Sequence, residues 1–316
     1  MSKLTVTAAP HIHSGASTNR IMLDVILALL PVTVASVVIF GLQSLVVIAA
    51  CVISAVAAEF LFDLATGKKN TIGDFSAVVT GLLLALNLST NVPVWQCVVG
   101  SVFAIVCVKC FFGGLGCNFA NPAIAGRVFM LLTFSQVAGG ANPTIVDVTT
   151  SATPLELLAK GEEVPSLLDM FLGLHGGAIG ETCAAALLLG FVYLLVRKVI
   201  TWHTPVVFVA TVFVCYLVAT GFDVTAALYQ VLAGGLMIGA IFMATDYVTS
   251  PITKLGQVVF GIGCGVLTVV IRYFGGYPEG VSYAILIMNC CVVLLDRIGR
   301  PKKFGTPKKV KEVAAK

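Results

Sequence analysis

Residues 21–40 read IMLDVILALLPVTVASVVIF, and residues 45–64 read LVVIAACVISAVAAEFLFDL. Each run is apolar over about the 20 residues that a helix needs to cross the hydrocarbon of a bilayer. Neither alternates with the two-residue period of a half-buried strand, and neither shows the polar stripe of a helix with one wet face. The pair therefore predicts two membrane-spanning helices. Comparable runs follow at 72–88, 94–112, 119–134, 178–196, 205–220, 225–244, 255–274 and 281–295. The expected fold is an all-α polytopic membrane protein of about ten transmembrane helices.

Composition agrees with that reading. Of 316 residues, 58% are hydrophobic and only 11% charged, against about 25% charged in an ordinary soluble chain. The net charge of +4 reports membrane orientation and excludes a nucleic-acid surface. Lys68, Lys69, Lys109, Arg197, Lys198, Lys254 and the tail from Arg297 to Lys316 fall on one side of the predicted spans. Lys160 and Arg272 fall on the other. Positive residues mark the cytoplasmic side, so both termini are expected in the cytoplasm and the loop at 135–177 outside it. The first twenty residues are polar and no cleavable leader is expected. Ten cysteines are scattered through apolar runs and read as small buried hydrophobes. Cys107 and Cys110 form a lone CxxC with no second pair beside it, and no metal is expected there.

Five runs precede the long loop and five follow it. An odd number per half gives the halves opposite topology, which is the plan of an inverted repeat. The expected organisation is a cytoplasmic segment 1–20, a first five-helix half 21–134, a non-helical extracytoplasmic loop 135–177, a second five-helix half 178–296 and a basic tail 297–316. Two spans read as discontinuous. One follows the glycines Gly113, Gly114 and Gly116 and starts at Asn121-Pro122; the other ends where Ala244 passes into Thr245-Asp246. Interrupted spans mark binding sites near mid-membrane, and the plain alternative is ordinary capped helix ends.

Charges inside the spans are the next signal. Glu59 and Asp63 share a helical face near one end of their span, where interfacial water suffices to solvate them. Asp24 and Asp74 stand near span starts, where a carboxylate complements the helix dipole. Arg127, Glu181 and Asp246 are deeper or at the suspected breaks, and charges there pair or serve transport. Asp246 reads as a cation-coordinating carboxylate and Glu181 as a second ion-pathway candidate. His11 and His13 read as surface groups.

The sharpest local pattern is Asp147-Val148-Thr149-Thr150-Ser151-Ala152-Thr153-Pro154. Taken alone it is a hydroxyl-rich, turn-forming loop. Pro154 also pushes Thr153 towards an extended conformation. With small Ser151 and Ala152 beside it, the Thr153 hydroxyl is expected to be open to a modifying enzyme.

This segment resembles a flavinylation motif, an aspartate followed by Ser/Gly-Ala-Thr, whose last threonine carries FMN through a phosphoester. Val148 stands where the motif often has glycine. Further segments are similar to the same family: Pro10-His11-Ile12-His13-Ser14-Gly15, Gly113-Gly114-Leu115-Gly116-Cys117-Asn118, Asn121-Pro122-Ala123, Gly180-Glu181-Thr182 and Phe242-Met243-Ala244-Thr245-Asp246. Together they cover nearly the whole chain. They resemble the membrane-protein family that supplies the D subunit of Rnf complexes and, more distantly, the B subunit of the sodium-translocating NADH:quinone reductase. The resemblance implies a component of a ferredoxin:NAD oxidoreductase in the bacterial cytoplasmic membrane, coupled to Na+ or H+ translocation. It implies covalent FMN on Thr153, with Asp147, Ser151 and Ala152 as the motif that a separate flavin transferase reads. Related proteins of the family hold a second, non-covalent flavin such as riboflavin. Arg127 then becomes a candidate flavin contact, competing with an ion pair to Glu181. The implied partners are the other subunits of the complex, the transferase and membrane lipid, with no nucleic acid. The chain shows no dinucleotide fingerprint and no complete active site of its own. The competing readings are a non-redox channel or carrier, since inverted five-helix repeats also build transporters, and an assembly scaffold.

Overall fold

The computed structural model describes residues 17–68, 70–134, 153–160, 164–275 and 280–299. Among these there are helices and no β-strand. The first half comprises α1 (Thr18–Phe40), α2 (Leu42–Thr66), α3 (Ser76–Leu86), α4 (Val94–Val102, continuing as a π-helix over Phe103–Cys110) and α5 (Pro122–Thr133). Two short helices follow, α6 (Pro154–Lys160) and α7 (Leu167–Leu172). The second half comprises α8 (Ala184–Val196), α9 (His203–Ala219), α10 (Val224–Leu232), α11 (Leu236–Ile238, continuing as a π-helix over Gly239–Met243), α12 (Lys254–Phe274) and α13 (Val281–Leu295). The chain is an all-α polytopic membrane protein. Val34, Val38, Ile53, Leu61, Val214 and Val218 stand exposed on the helix surfaces, an outer face that only lipid would solvate.

Every expected run contains a helix, but the lengths differ for local reasons. Among the described residues only α1, α2 and α12 reach crossing length unaided, and α10 with α11 reaches it only as a pair bent by 68°. The 11 residues of α3 rise only about 16 Å, roughly half the hydrocarbon thickness. α5 starts late because Gly113, Gly114 and Gly116 adopt left-handed backbone, with φ of 118°, 98° and 91°, which a right-handed helix excludes. Its start is then made by Asn121, whose Oδ1 accepts from the backbone N–H of Ala123 at 3.0 Å and Ile124 at 3.4 Å, with Pro122 at the first helical position. α8 starts six residues later than the apolar run because its first residues bond elsewhere. The N–H groups of Ile179 and Gly180 donate to the carbonyls of Leu88 and Leu86, at 2.9 and 2.7 Å. The loop expected to be non-helical holds α6 and α7.

The two halves repeat one packing plan. α2 lies against α3 and α4, as α9 lies against α10 and α12. α5 packs on α3, and α13 packs on the π-helical end of α11. The first helices of the halves, α1 and α8, meet each other, and so do the last, α5 and α13. A single large apolar core runs through both halves. Tyr193 and Arg197 of α8 close the α1–α8 seam on Asp24: the guanidinium donates from Nε and Nη2 at 3.2 and 3.1 Å, and the phenol from 3.0 Å. Asp24 therefore pairs across the halves rather than merely starting a helix.

Candidate functional site

Three polar places line up along α11. The first is the break that precedes it. Gly234 takes φ 70°, a backbone that favours glycine, and α10 ends there. The run does end at Met243, just before Thr245-Asp246 as expected, and a second break lies ten residues earlier, where Ala233-Gly234-Gly235 cannot continue a helix. α6 docks on this break: Leu155, Met170 and Ala233 form a small buried cluster. A Cβ placed on Gly234 would lie 2.5 Å from Leu155 Cδ1. Arg272, at the end of α12, donates from Nη1 to Gln230 O at 2.7 Å and from Nη2 to Ala233 O at 3.1 Å, so it caps the broken α10.

Thr153 stands at the start of α6 and is only 3% exposed. Its Oγ1 accepts from the Glu156 N–H at 3.4 Å, and Glu156 Oε2 accepts from the Thr153 N–H at 3.3 Å. This is a reciprocal capping box. The hydroxyl expected to be open is therefore engaged and buried. The reason is that Thr-Pro-x-Glu is also a helix-start signal: the extended residue that proline demands before it is the conformation an N-cap uses. Asp147, Ser151 and Ala152 lie outside the described residues.

The second place is beneath the break. Arg127 of α5 is buried and donates from Nη1 to Asn87 Oδ1. Glu181 is buried too, its Oε1 accepting from the Ala178 N–H at 3.0 Å, while Oε2 has no hydrogen-bond partner among the described residues. Both face Gly235: a Cβ there would lie 3.4 Å from Glu181 Oε2 and 3.6 Å from Arg127 Nη1. The structure thus brings the two expected deep charges to one glycine. A side chain at 235 would press against both.

The third place is at the far end of α11. Asp246 is half-buried and its Oδ2 accepts from Thr249 Oγ1 at 2.9 Å. It lines a narrow cleft with Asn118, Asn121, Lys109, Thr245 and Phe242, with an enclosed volume of about 90 Å³. Asp246 is therefore separated from Glu181 by the eight residues of Leu236–Met243, roughly 12 Å of helix.

Lys109 is buried, on the π-helix that prolongs α4, where a widened turn often marks function. Its Nζ lies 2.7 Å from Glu59 Oε1 and donates to Ser76 Oγ at 2.5 Å. Thr71 Oγ1 bridges Glu59 and Asp63 at 2.7 and 2.8 Å. Glu59 and Asp63 are thus buried partners of a lysine and a hydroxyl rather than groups solvated at the interface, and Lys109 is no surface topology marker.

The chain matches the NQR2, RnfD, RnfE family over residues 5–305. It belongs to that family. It is 46% identical to the D subunit of the Na+-translocating ferredoxin:NAD+ oxidoreductase complex of Acetobacterium woodii, over 99% of this chain and 98% of the relative. It is 41% identical to the D subunit of the proton-translocating ferredoxin:NAD+ oxidoreductase complex of Clostridium ljungdahlii, over 96% of each. A third relative, the D subunit of the ion-translocating oxidoreductase complex of Stutzerimonas stutzeri, is 36% identical over 95% of this chain and 96% of its own length.

In this member of the family, the stretches that carried the resemblance are now seen at work. Asn121-Pro122 starts α5, Gly180-Glu181 hangs from the end of α3, and Thr245-Asp246 ends the broken span. The Lys109–Glu59 pair escaped sequence reasoning although a signal was available: a lysine within a long apolar run, and two acids one helical turn apart facing the same way. Arg272 escaped it as well, because a cation at a span end reads first as a topology marker.

Proposed function

We propose that the chain is the flavin-carrying membrane subunit of an ion-translocating ferredoxin:NAD oxidoreductase complex of the Rnf type, set in the bacterial cytoplasmic membrane with both termini cytoplasmic. It carries FMN on Thr153 and couples electron passage to movement of Na+ or H+. The observation that carries this reading is the placement of Thr153. Its helix rests on the break of a membrane span, with Arg127 and Glu181 beneath the break and a polar-ended cleft at the far end of the same span. The names of its relatives point the same way, since one is called Na+-translocating and another proton-translocating.

Each residue then has a task. Thr153 supplies the hydroxyl that anchors the phosphate, within the Asp147, Ser151 and Ala152 motif presented to a flavin transferase. The apolar walls of the far cleft, with amides at Asn118 and Asn121 and opposite charges at Lys109 and Asp246, fit a second, non-covalent flavin such as riboflavin. Flavin supplies exchange of one or two electrons, which links one-electron carriers to hydride chemistry. Arg127 and Glu181 hold opposite charges at mid-span, and Asp246 offers a carboxylate to a cation. The partners are the other membrane and peripheral subunits of the complex, and lipid around the apolar girdle.

A carrier without redox chemistry draws on the same broken span, and one measurement separates the two. The protein is made with its flavin transferase, denatured in SDS and viewed for flavin fluorescence. A fluorescent band is expected, with the peptide around Thr153 heavier by one FMN less water. Thr153→Val is nearly isosteric and lacks the nucleophile, so it loses the label while still inserting. A fluorescent Thr153→Val band sinks the anchor, and an unlabelled wild type leaves the carrier reading standing.

A further inference from the structure

Arg272 is a guanidinium without an ionic partner in contact. No carboxylate among the described residues lies within ion-pair distance of it. It donates to neutral acceptors: Gln230 O, Gln230 Oε1 and Ala233 O. Its Nε has no hydrogen-bond partner among the described residues. The carbonyls at the end of α10 offset roughly half a unit of charge through the helix dipole. The Tyr216 phenol and, without direct contact, the Glu181 carboxylate offset part of the rest, and the guanidinium sits half-buried at the end of a membrane span, where a charge that is only partly offset draws an anion.

A cleft opens beside it. Arg272 lines it together with Tyr216, Thr220, Tyr273, Leu155 and Leu158. The two leucines belong to α6, the helix that Thr153 caps, and Leu155 is two residues from Thr153. A Cβ on Gly234 would meet Leu155 Cδ1 and, at 3.2 Å, Arg272 Nη2. The anchor segment and this cation therefore converge on the same glycine. Two phenol rings, two aliphatic side chains and one cation make a wall for a planar, amphipathic and reducible ring.

We propose that this cleft seats the isoalloxazine ring of the flavin borne by Thr153, and that Arg272 is the positioning cation facing the ring when it is reduced and negatively charged. The inference rests on the attachment at Thr153 proposed above. It assigns to α12 and α9 a role in setting the potential of a group attached elsewhere in the chain. Arg272 stabilises the reduced state more than the oxidised one because only the reduced ring carries the charge.

The test uses the assembled complex with its covalent label. Neither Arg272 nor Tyr273 hydrogen-bonds Thr153, so Arg272→Gln and Tyr273→Leu should both keep the fluorescent SDS band at wild-type intensity. In the native complex, Arg272→Gln should lower the stability of the reduced covalent flavin by about tenfold. For a two-electron couple this is about 30 mV towards more negative potential. Tyr273→Leu should brighten the native flavin fluorescence by about twofold or more, since it removes a ring that quenches at contact. An Arg272→Gln complex with wild-type potential overturns the role of the arginine, and wild-type fluorescence in Tyr273→Leu overturns the seat. Should Arg272→Gln fail to assemble, the tyrosine variant decides. A wild type with no fluorescent band overturns the attachment and this inference together, whereas labelled but unshifted variants overturn this inference alone.

Discussion

Lys109 and Glu59 lie 2.7 Å apart with 3% and 2% of their side chains exposed, so neither ion has water to turn to if the other is removed. Breaking a buried pair by deleting one partner costs about 3–5 kcal/mol, whereas replacing both by neutral groups of similar size is close to neutral. Lys109→Met should therefore lower the unfolding temperature of the purified protein sharply, and Lys109→Met with Glu59→Gln should recover most of the loss. Equal melting temperatures for the single and double variants would mean that the pair is not coupled. Arg127 and Asp246 call for a different measurement. Arg127→Met and Asp246→Asn should assemble with labelled Thr153 yet slow ion transport driven by ferredoxin or NADH by about tenfold or more. Wild-type transport in both would return these charges to structural roles.

At the scale of elements, α6 is held by a capping box and a small cluster of apolar contacts, and the residue that caps its start is the proposed anchor. A transferase needs the hydroxyl that the cap occupies, so attachment requires α6 to undock. Loss of a cap is worth about 1 kcal/mol, or roughly a fivefold shift in the undocked population. Glu156→Ala should accordingly speed the transferase's labelling of the flavin-free protein about fivefold, read as the rate at which the SDS band appears. An unchanged rate would mean that the enzyme reaches Thr153 in its docked form. The α1–α8 seam makes a second case. A Cβ on Gly190 would stand 2.4 Å from Ala28 O and 2.9 Å from Phe242 Cζ. Small residues let membrane helices approach this closely, and Gly190→Val should cost about 1–3 kcal/mol by overpacking, seen as a lower melting temperature with the topology unchanged.

For the whole molecule, the packing of α1–α5 recurs in α8–α13, with α10 and α11 together in the place of one helix. The proposed orientation puts residues 140–170 outside the cytoplasm and residues 300–316 within it. Single cysteines in the two regions, probed with a membrane-impermeant thiol reagent on intact cells, should react in the first and stay silent in the second. Labelling of both from one side would overturn the orientation and move Thr153 with it.

Apolar runs are local, and each of the ten could be read directly as holding a helix, because a segment in lipid must satisfy its backbone within itself. The same holds for the Asn121-Pro122 helix start and for the pattern at Thr153, where proline and small residues act on their immediate neighbours. What a run could not reveal was which of its residues would meet another run. Lys109 finds Glu59 across 50 residues, and Arg127 faces Glu181 only because α5 and the segment before α8 converge on Gly235. Arg272 finds Leu155 only because α6 folds back over the break. The burial of the Thr153 hydroxyl belongs with these. Its sequence permits both an open arm and a helix cap, and docking of Leu155 against Ala233 decides for the cap. The apolar helices and a candidate anchor were set by local chemistry; the company that each charge keeps was set by packing between segments distant in the chain.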